Sequence, residues 1–297
     1  MTAENFIIAD WGSTNIRAFL YLDGKEAERR DSPEGITKVQ GRDCEAVFDK
    51  LTGAWFNEHG PLPVTLAGMV GSVNGWVDAP YLDCPADLSA LASRLCPVTH
   101  SKGYDIRVIP GICVRDSANY NVMRGEETQL AGALRLAPAD IYVMPGTHCK
   151  WVYMDGSRVQ TFRTAMTGEL HATLLKHTLV GFGLPEQKKS APETFKRGLQ
   201  EGRDRALLPL LFEIRAARIL GGVEPSEVSE YLSGVLIGNE IASLGSVAQG
   251  RKIGIVANNA LAHRYAEAFK EVGIEVSLID GEQAFREGIV PIAGERA

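Results

Sequence analysis

The sequence lacks the features that would place it in several common classes. No apolar run reaches the roughly eighteen residues needed to cross a bilayer. No basic N-terminal stretch leads into an apolar one, as a secretory signal requires. The five cysteines (Cys44, Cys84, Cys96, Cys113, Cys149) are odd in number and widely spaced, with no C-x-x-C pair. That argues against a disulfide framework and against a zinc site. The expectation is a reduced, cytoplasmic protein without a membrane partner. Positive charge is not in excess; the net charge of -6 speaks against nucleic acid as a partner. There is no G-x-x-x-x-G-K-[ST] phosphate loop, no G-x-G-x-x-G dinucleotide turn and no G-x-S-x-G nucleophile elbow. The histidines do not fall at metal-ligand spacing. His171 and His177 read as structural, with His171 kept as a candidate pocket residue.

What is present is an ordinary globular composition, 45% hydrophobic and 23% charged, with nothing biased enough to predict disorder. A chain of 297 residues suits two domains of common size. Apolar strands at 6–10 and 16–22, a charged strand entered through Asp23-Gly24, a helix over 43–59 and further strands in "PVTLAGMVGS" and "DIRVIPGICV" predict an α/β layer. Later come helices over "GEETQLAGALRLA", 204–220 and 227–248, the last with Gly234, Gly238, Ala242 and Gly245 near one stripe. "KIGIVANN" then reads as a strand, followed by a helix and the short strand "EVSLI". The expected division is 1–115 and 116–297.

The main signal is an internal repeat. "IIADWGSTNIRAFLYLDG" and "IYVMPGTHCKWVYMDG" share an order: apolar strand, Gly and Thr in a tight turn, a cation (Arg17, Lys150), an aromatic-rich strand and an Asp-Gly turn. Glycine in such a turn lets backbone N–H groups approach an anion, and the hydroxyls add donors. Two such turns suggest two lobes that clamp a polyphosphate; a purely structural hairpin in each half is the plain alternative. Asp10 ends the first strand where phosphate would arrive. A carboxylate there suits a Mg²⁺ held through water, or else an Asx-type turn.

These residues carry a resemblance. "DWGSTN", "PGTH" and "IVANNALAHRYAEAF" resemble the sugar kinase/actin/heat-shock ATPase superfamily. "DWGSTNIRA", "AGMVGSVNGW", "NVMRGEETQLAGA", "MPGTHCKWV", "FRTAMTGEL" and "LSGVLIGNEIAS" together resemble the 2-dehydro-3-deoxygalactonokinase family over residues 6–290. The resemblance implies a two-lobed, actin-like (ribonuclease H-like) α/β fold and an ATP- and Mg²⁺-dependent kinase. Its acceptor would be the 6-hydroxyl of 2-dehydro-3-deoxy-D-galactonate, in galactonate catabolism. A kinase for a related sugar or sugar acid, or a non-catalytic sugar-acid sensor, is the competing reading.

By position, the resemblance places Asp10, Gly12, Ser13 and Thr14 at the first phosphate motif, with Asp10 toward the metal. Gly146 and Thr147 stand at the second, with Lys150 nearby. Ala257, Asn258 and Asn259 stand at the adenosine segment, although the glycines usual there are missing. Glu126 and Glu127, opening a helix before the second hairpin, are the candidate bases. Acidic residues at a helix N-terminus are also stabilising without any catalytic duty. A carboxylate substrate calls for a guanidinium fork, and Arg124 and Arg163 are the candidates. Ser72, Asn74, Trp76, Thr167 and Glu169 complete the expected sugar-acid contacts. The expected partners are ATP and a small sugar acid, with a homodimer as the candidate assembly.

Overall fold

The computed structural model describes residues 5–188 and 190–295, and of Arg42 only the backbone. Along the chain the elements begin with β1 (Phe6–Trp11), β2 (Ile16–Leu22), β3 (Lys25–Ser32), α1 (Cys44–His59), β4 (Val64–Ala67), β5 (Tyr81–Asp83), β6 (Ala86–Asp87), β7 (Cys96–Val98) and β8 (Ile106–Val108). They continue with β9 (Gly111–Asp116), β10 (Asn119–Met123), α2 (Glu126–Leu136), β11 (Ile141–Met144), β12 (Cys149–Asp155), β13 (Arg158–Ala165), α3 (Thr167–His177) and α4 (Pro192–Asp204). The last are α5 (Leu207–Ile219), α6 (Val228–Leu244), β14 (Ile253–Ala257), α7 (Asn259–Lys270), β15 (Val276–Asp280) and α8 (Gly281–Gly294). Among the described residues no helix is long and apolar enough to cross a membrane.

Among the described residues the strands form three sheets, with orders β3-β2-β1-β4-β8-β7, β10-β9-β5 and β15-β14-β11-β12-β13-β6. In the first, the β1–β2 hairpin is antiparallel and β4 adds in parallel to β1. β1 and β4 are apolar almost throughout because both faces are covered. Asp43 starts α1 as its N-cap, accepting from the Ala46 N–H at 3.0 Å. The strand read in "DIRVIPGICV" stops at its Pro-Gly as expected: β8 ends at Val108 and a second strand, β9, begins at Gly111, because proline has no N–H to continue a ladder.

By backbone packing the chain forms two compact units: residues 1–138, 153–162 and 281–297, and residues 139–152 and 163–280. Neither is one continuous stretch, whereas the sequence reading divided the chain once, at 115/116. Each unit contains a helix pair brought close by glycine. In the first unit, a Cβ on Gly132 of α2 would lie 1.8 Å from the Ala284 carbonyl oxygen of α8, and one on Gly288 would lie 2.0 Å from that of Thr128. In the second unit, Gly198 and Gly202 of α4 meet α6 at Tyr231 and Val235. Gly234 and Gly238 of α6 meet α4 at Phe195 and Leu199. The small-residue stripe on α6 therefore serves backbone-to-backbone packing.

Candidate active site

In the first unit, the turn Gly12–Asn15 joins β1 to β2. Its carbonyls are held from the neighbouring segment: Ile36 N–H donates to Gly12, Thr37 N–H and hydroxyl to Ser13, and Lys38 Nζ to Thr14. Ser13 and Thr14 are exposed. A Cβ on Gly12 would have its nearest atom 3.8 Å away, so the fold does not require glycine there for space. Asp10 stands opposite Arg17 in the β1–β2 register and is ion-paired with it. Arg17 also bridges Glu282 of α8 at 3.1 Å. The other Asp10 oxygen, Oδ1, lies 3.3 Å from where a Cβ on Gly68 would stand. A side chain at position 68 would crowd the one Asp10 oxygen that Arg17 leaves free.

Gly68 also joins this carboxylate to a second group of predicted residues. It follows β4 with φ +97°, and a Cβ on Gly125 would come 3.2 Å from its Cα. The structure thus gathers Asp10 and the Arg124–Glu127 turn around Gly68, all within one unit. Glu126, partly exposed, accepts from the Arg124 N–H at 3.0 Å through Oε2. Glu127 has no exposed surface, and both its oxygens accept from the Gly125 N–H, at 2.9 and 2.7 Å. Burial first, and then the Glu126 charge, pushes the Glu127 carboxyl up to about 8.

Arg124 is 8% exposed. Its guanidinium lies 4.3 Å from the centre of the Tyr81 ring, and Nη2 donates to the Ala79 carbonyl at 2.7 Å. Nε and Nη1 are buried without a hydrogen-bond partner in the described structure. A Cβ on Gly71 would come 2.9 Å from Nη1. A buried cation with unused donors is costly unless something completes it. The other residues expected near the sugar acid are placed less tellingly. Ser72 donates to the Met69 carbonyl at 2.7 Å, inside its own turn. Asn74 is exposed. Trp76 is partly buried against Trp11, Phe48 and His100.

The only group of three or more metal-type ligands clustered among the described residues is Glu45, Asp49 and His100. The His100 Nδ1 accepts from the Lys102 N–H at 3.1 Å, leaving Nε2 to donate to Asp49 at 3.1 Å, and Lys102 Nζ bridges Asp49 at 2.6 Å. Lysine already holds the charge of Asp49, so the cluster is structural.

In the second unit, the turn between β11 and β12 exposes Gly146 and Thr147. α3 braces it: the Glu169 N–H donates to the Thr147 carbonyl at 2.9 Å, and a Cβ on Gly168 would strike the Gly146 carbonyl oxygen at 2.3 Å. Gly146 itself has nothing within 4 Å of a built Cβ. Lys150 is buried, with Nζ donating to Thr164 at 3.2 Å. Arg163 is exposed, and Glu169 pairs with His148 at 2.5 Å.

A cavity of about 290 Å³ opens beside the Gly146 turn, lined among others by Thr167, His171, Ser233, Arg264 and Tyr265. Arg264 bridges Glu230 at 2.6 Å and donates to Ser233 at 2.9 Å. Burial lowers the His171 pKa, leaving the ring neutral beside the Ser229 carbonyl at 3.1 Å. Ala257 ends β14, and Asn258 caps α7, accepting from the Leu261 N–H at 3.1 Å. Asn258 and Asn259 are exposed at that turn, and it is the following helix that supplies Ala260, Leu261, Arg264 and Tyr265 to the cavity.

Sequence reasoning missed Glu240, a buried carboxylate. It accepts from Trp151 at 2.7 Å, from Tyr265 at 2.8 Å and from Thr167. It fixes two side chains of the cavity wall. Its position in the quoted stretch "LSGVLIGNEIAS" was the available signal.

The comparisons with known proteins agree with one another. The family model described as 2-keto-3-deoxy-galactonokinase matches residues 10–292. The chain is 49% identical to 2-dehydro-3-deoxygalactonokinase of Escherichia coli K12, covering 99% of this chain and 98% of that one. A crystal structure from Sinorhizobium meliloti, of a protein assigned as a 2-dehydro-3-deoxygalactonokinase, is 31% identical. It covers 98% of this chain and 96% of that one, with a TM-score of 0.89. The activator of the 2-hydroxyisocaproyl-CoA dehydratase from Clostridium difficile, solved with bound ADPNP, has a TM-score of 0.53. It covers 98% of this chain and 95% of that one, and at 11% identity this likeness speaks for the fold alone. The actin-like α/β fold expected from the sequence is borne out.

Proposed function

The chain belongs to the 2-keto-3-deoxy-galactonokinase family, and from that premise we infer that it is an ATP-dependent kinase for 2-dehydro-3-deoxygalactonate, acting on the 6-hydroxyl. The observation that carries this reading is likeness along nearly the whole chain, at 49% identity over 295 residues. The site supports it in kind. Phosphoryl transfer needs positioning and charge neutralisation more than covalent chemistry.

In this reading the Gly12–Thr14 and Gly146–Thr147 turns bind ATP phosphates through amides and hydroxyls, and Lys150 adds a positive charge. The cavity beside Gly146 takes the adenosine, with Asn258 and Asn259 at its rim. Asp10 fits an outer-sphere role for Mg²⁺, since one of its oxygens lies against a glycine and the carboxylate is partly exposed. The chemistry a Mg²⁺ held there would supply is neutralisation of phosphate charge. The unused Arg124 donors are assigned to the substrate carboxylate. The base comes from the Glu126–Glu127 pair: burial first, and the Glu126 charge second, keep the Glu127 carboxyl protonated, and Glu126 is the one with exposed surface. The proposed setting is the cytoplasm, where the five cysteines stay reduced, as all are free here.

The test is ADP release with Mg²⁺ and ATP on 2-dehydro-3-deoxygalactonate, its gluconate epimer and a neutral hexose. The galactonate compound is expected to be preferred by at least about 100-fold in kcat/KM. Equal rates on the epimer or the hexose would overturn the substrate assignment. ATP binding without ADP release on any acceptor would favour the sensor instead.

A further inference from the structure

We propose that the exposed apolar face of α5, with the adjoining turn at 178–182, is where a second copy of this chain docks. The whole patch lies within the second unit. Leu179, Phe182, Leu208, Phe212, Ile219 and Leu220 are 58, 74, 81, 68, 63 and 83% exposed. On its other face α5 is ordinary: Leu210 and Ile214 are buried in a core shared with α6. Arg218 ties the turn to the helix by donating to the Phe182 carbonyl at 2.8 Å. An open groove of about 780 Å³ runs alongside, lined by Leu174, His177, Leu211 and Phe212 among others.

Area and pattern together name the occupant. An aromatic side chain presents on the order of 150–250 Å² when fully exposed, and leucine and isoleucine fall toward the lower end of that range. At the exposures given, the six residues present on the order of 800 Å². That exceeds the roughly 300–600 Å² of the largest patch on a typical monomer. It equals the roughly 800 Å² that each partner gives to a stable interface. The pattern is also self-complementary. Leu208, Phe212, Arg215 and Ile219 are spaced four, three and four apart, one stripe of the helix. Pairing this stripe antiparallel with itself about a two-fold axis sets Leu208 against Ile219 of the second copy. It sets Phe212 against Arg215 of the second copy, a cation–π pair. The two Arg215 charges are thereby kept apart, which an isologous contact requires.

Sedimentation of the full-length protein from about 1 to about 100 µM tests this. Wild type is expected at twice 32.2 kDa. Phe212→Glu, at an exposed position, is expected to weaken association by at least about 100-fold with an unchanged circular dichroism spectrum. Leu208→Lys and Ile219→Glu are each expected to dissociate the dimer, and the double variant to restore it, because the two new charges face each other. A monomeric wild type overturns the proposal and leaves the patch to a different protein. A dimer that survives Phe212→Glu overturns it by placing the contact elsewhere. Two dissociating single variants without rescue in the double overturn the antiparallel pairing.

Discussion

The two glycine hairpins are alike in sequence and unlike in charge. At both, the turn carbonyls are held from behind, by residues 36–38 at the first and by the start of α3 at the second. At both, a glycine stands where a Cβ would fit without a clash: Gly12's would touch Asn15 at 3.8 Å and Gly146's would meet nothing within 4 Å. The first, however, carries a carboxylate: Asp10, balanced by Arg17 and partly exposed. The second carries the buried cation Lys150, with a neutral hydroxyl on its Nζ. The second is also preceded in the chain by a helix that opens with two glutamates. One supporting geometry has been given two charges. The lesson is that the repeat specifies the backbone of the turn, which the proposed function turns toward phosphate, and single side chains divide the electrostatic work.

The sharpest way to break that comparison is to remove the part with no counterpart. Glu126→Gln is expected to lower kcat by about 100-fold or more with KM for the sugar acid little changed. Normal turnover there, with loss in Glu127→Gln, would move the base to the buried neighbour. Next comes the charge contrast itself. Asp10→Asn is expected to cut kcat by about 10–100-fold and to raise the Mg²⁺ concentration at half-activity. Lys150→Met is expected to raise KM for ATP and leave the Mg²⁺ midpoint where it was. Identical Mg²⁺ titrations for the two variants would erase the distinction.

Smaller effects test the shared geometry. Gly12→Ala and Gly146→Ala are expected to raise KM for ATP by about 10-fold, with Tm within about 2 °C of wild type, because neither Cβ meets a protein atom closer than 3.8 Å. A large fall in Tm would make these glycines structural. Gly168→Ala reverses the pattern. Its Cβ meets backbone at 2.3 Å, so stability is expected to fall by about 1–3 kcal/mol, read from the denaturant midpoint.

Much of this was legible in the sequence, for reasons specific to each element. The β1–β2 hairpin and β3 show because the apolar runs are long and Asp23-Gly24 marks the turn. α1 shows because Asp43 caps an apolar stripe. α4 was less legible: "PETFKRGLQEGRD" carries only Phe195 and Leu199 as apolar markers, one turn apart, and Gly198 and Gly202 complete its buried face against α6. With glycines filling half of that face, the apolar period is short and easily missed. α8, with Gly281, Gly288 and Pro291, hides likewise. In the site, Asp10, Gly12 and Gly146 stand out because carboxylate and glycine at a strand end are unusual. Gly68 does not, because its role is to leave room for Asp10 and Gly125. The burial of Arg124 and Glu240 depends on neighbours distant in sequence, which no local pattern records.

The smallest effect concerns the glutamate pair, and its sign follows from burial. The Glu127 carboxyl is raised to about 8, by desolvation first and the Glu126 charge second. In the unfolded chain it returns to the ordinary carboxylate range. Between those two values the folded protein holds a proton that the unfolded chain has released. Stability therefore falls as pH rises through that window. Glu127→Gln has no proton to lose there, and keeps one oxygen for the Gly125 N–H. The Tm of the variant minus that of wild type is expected to be about 3 °C more positive at about pH 8.5 than at about pH 5. A difference that does not vary with pH would show that Glu127 ionises like an exposed carboxylate. Glu126 would then stand beside a second full charge, and the second hairpin would be preceded by an ordinary acidic helix start.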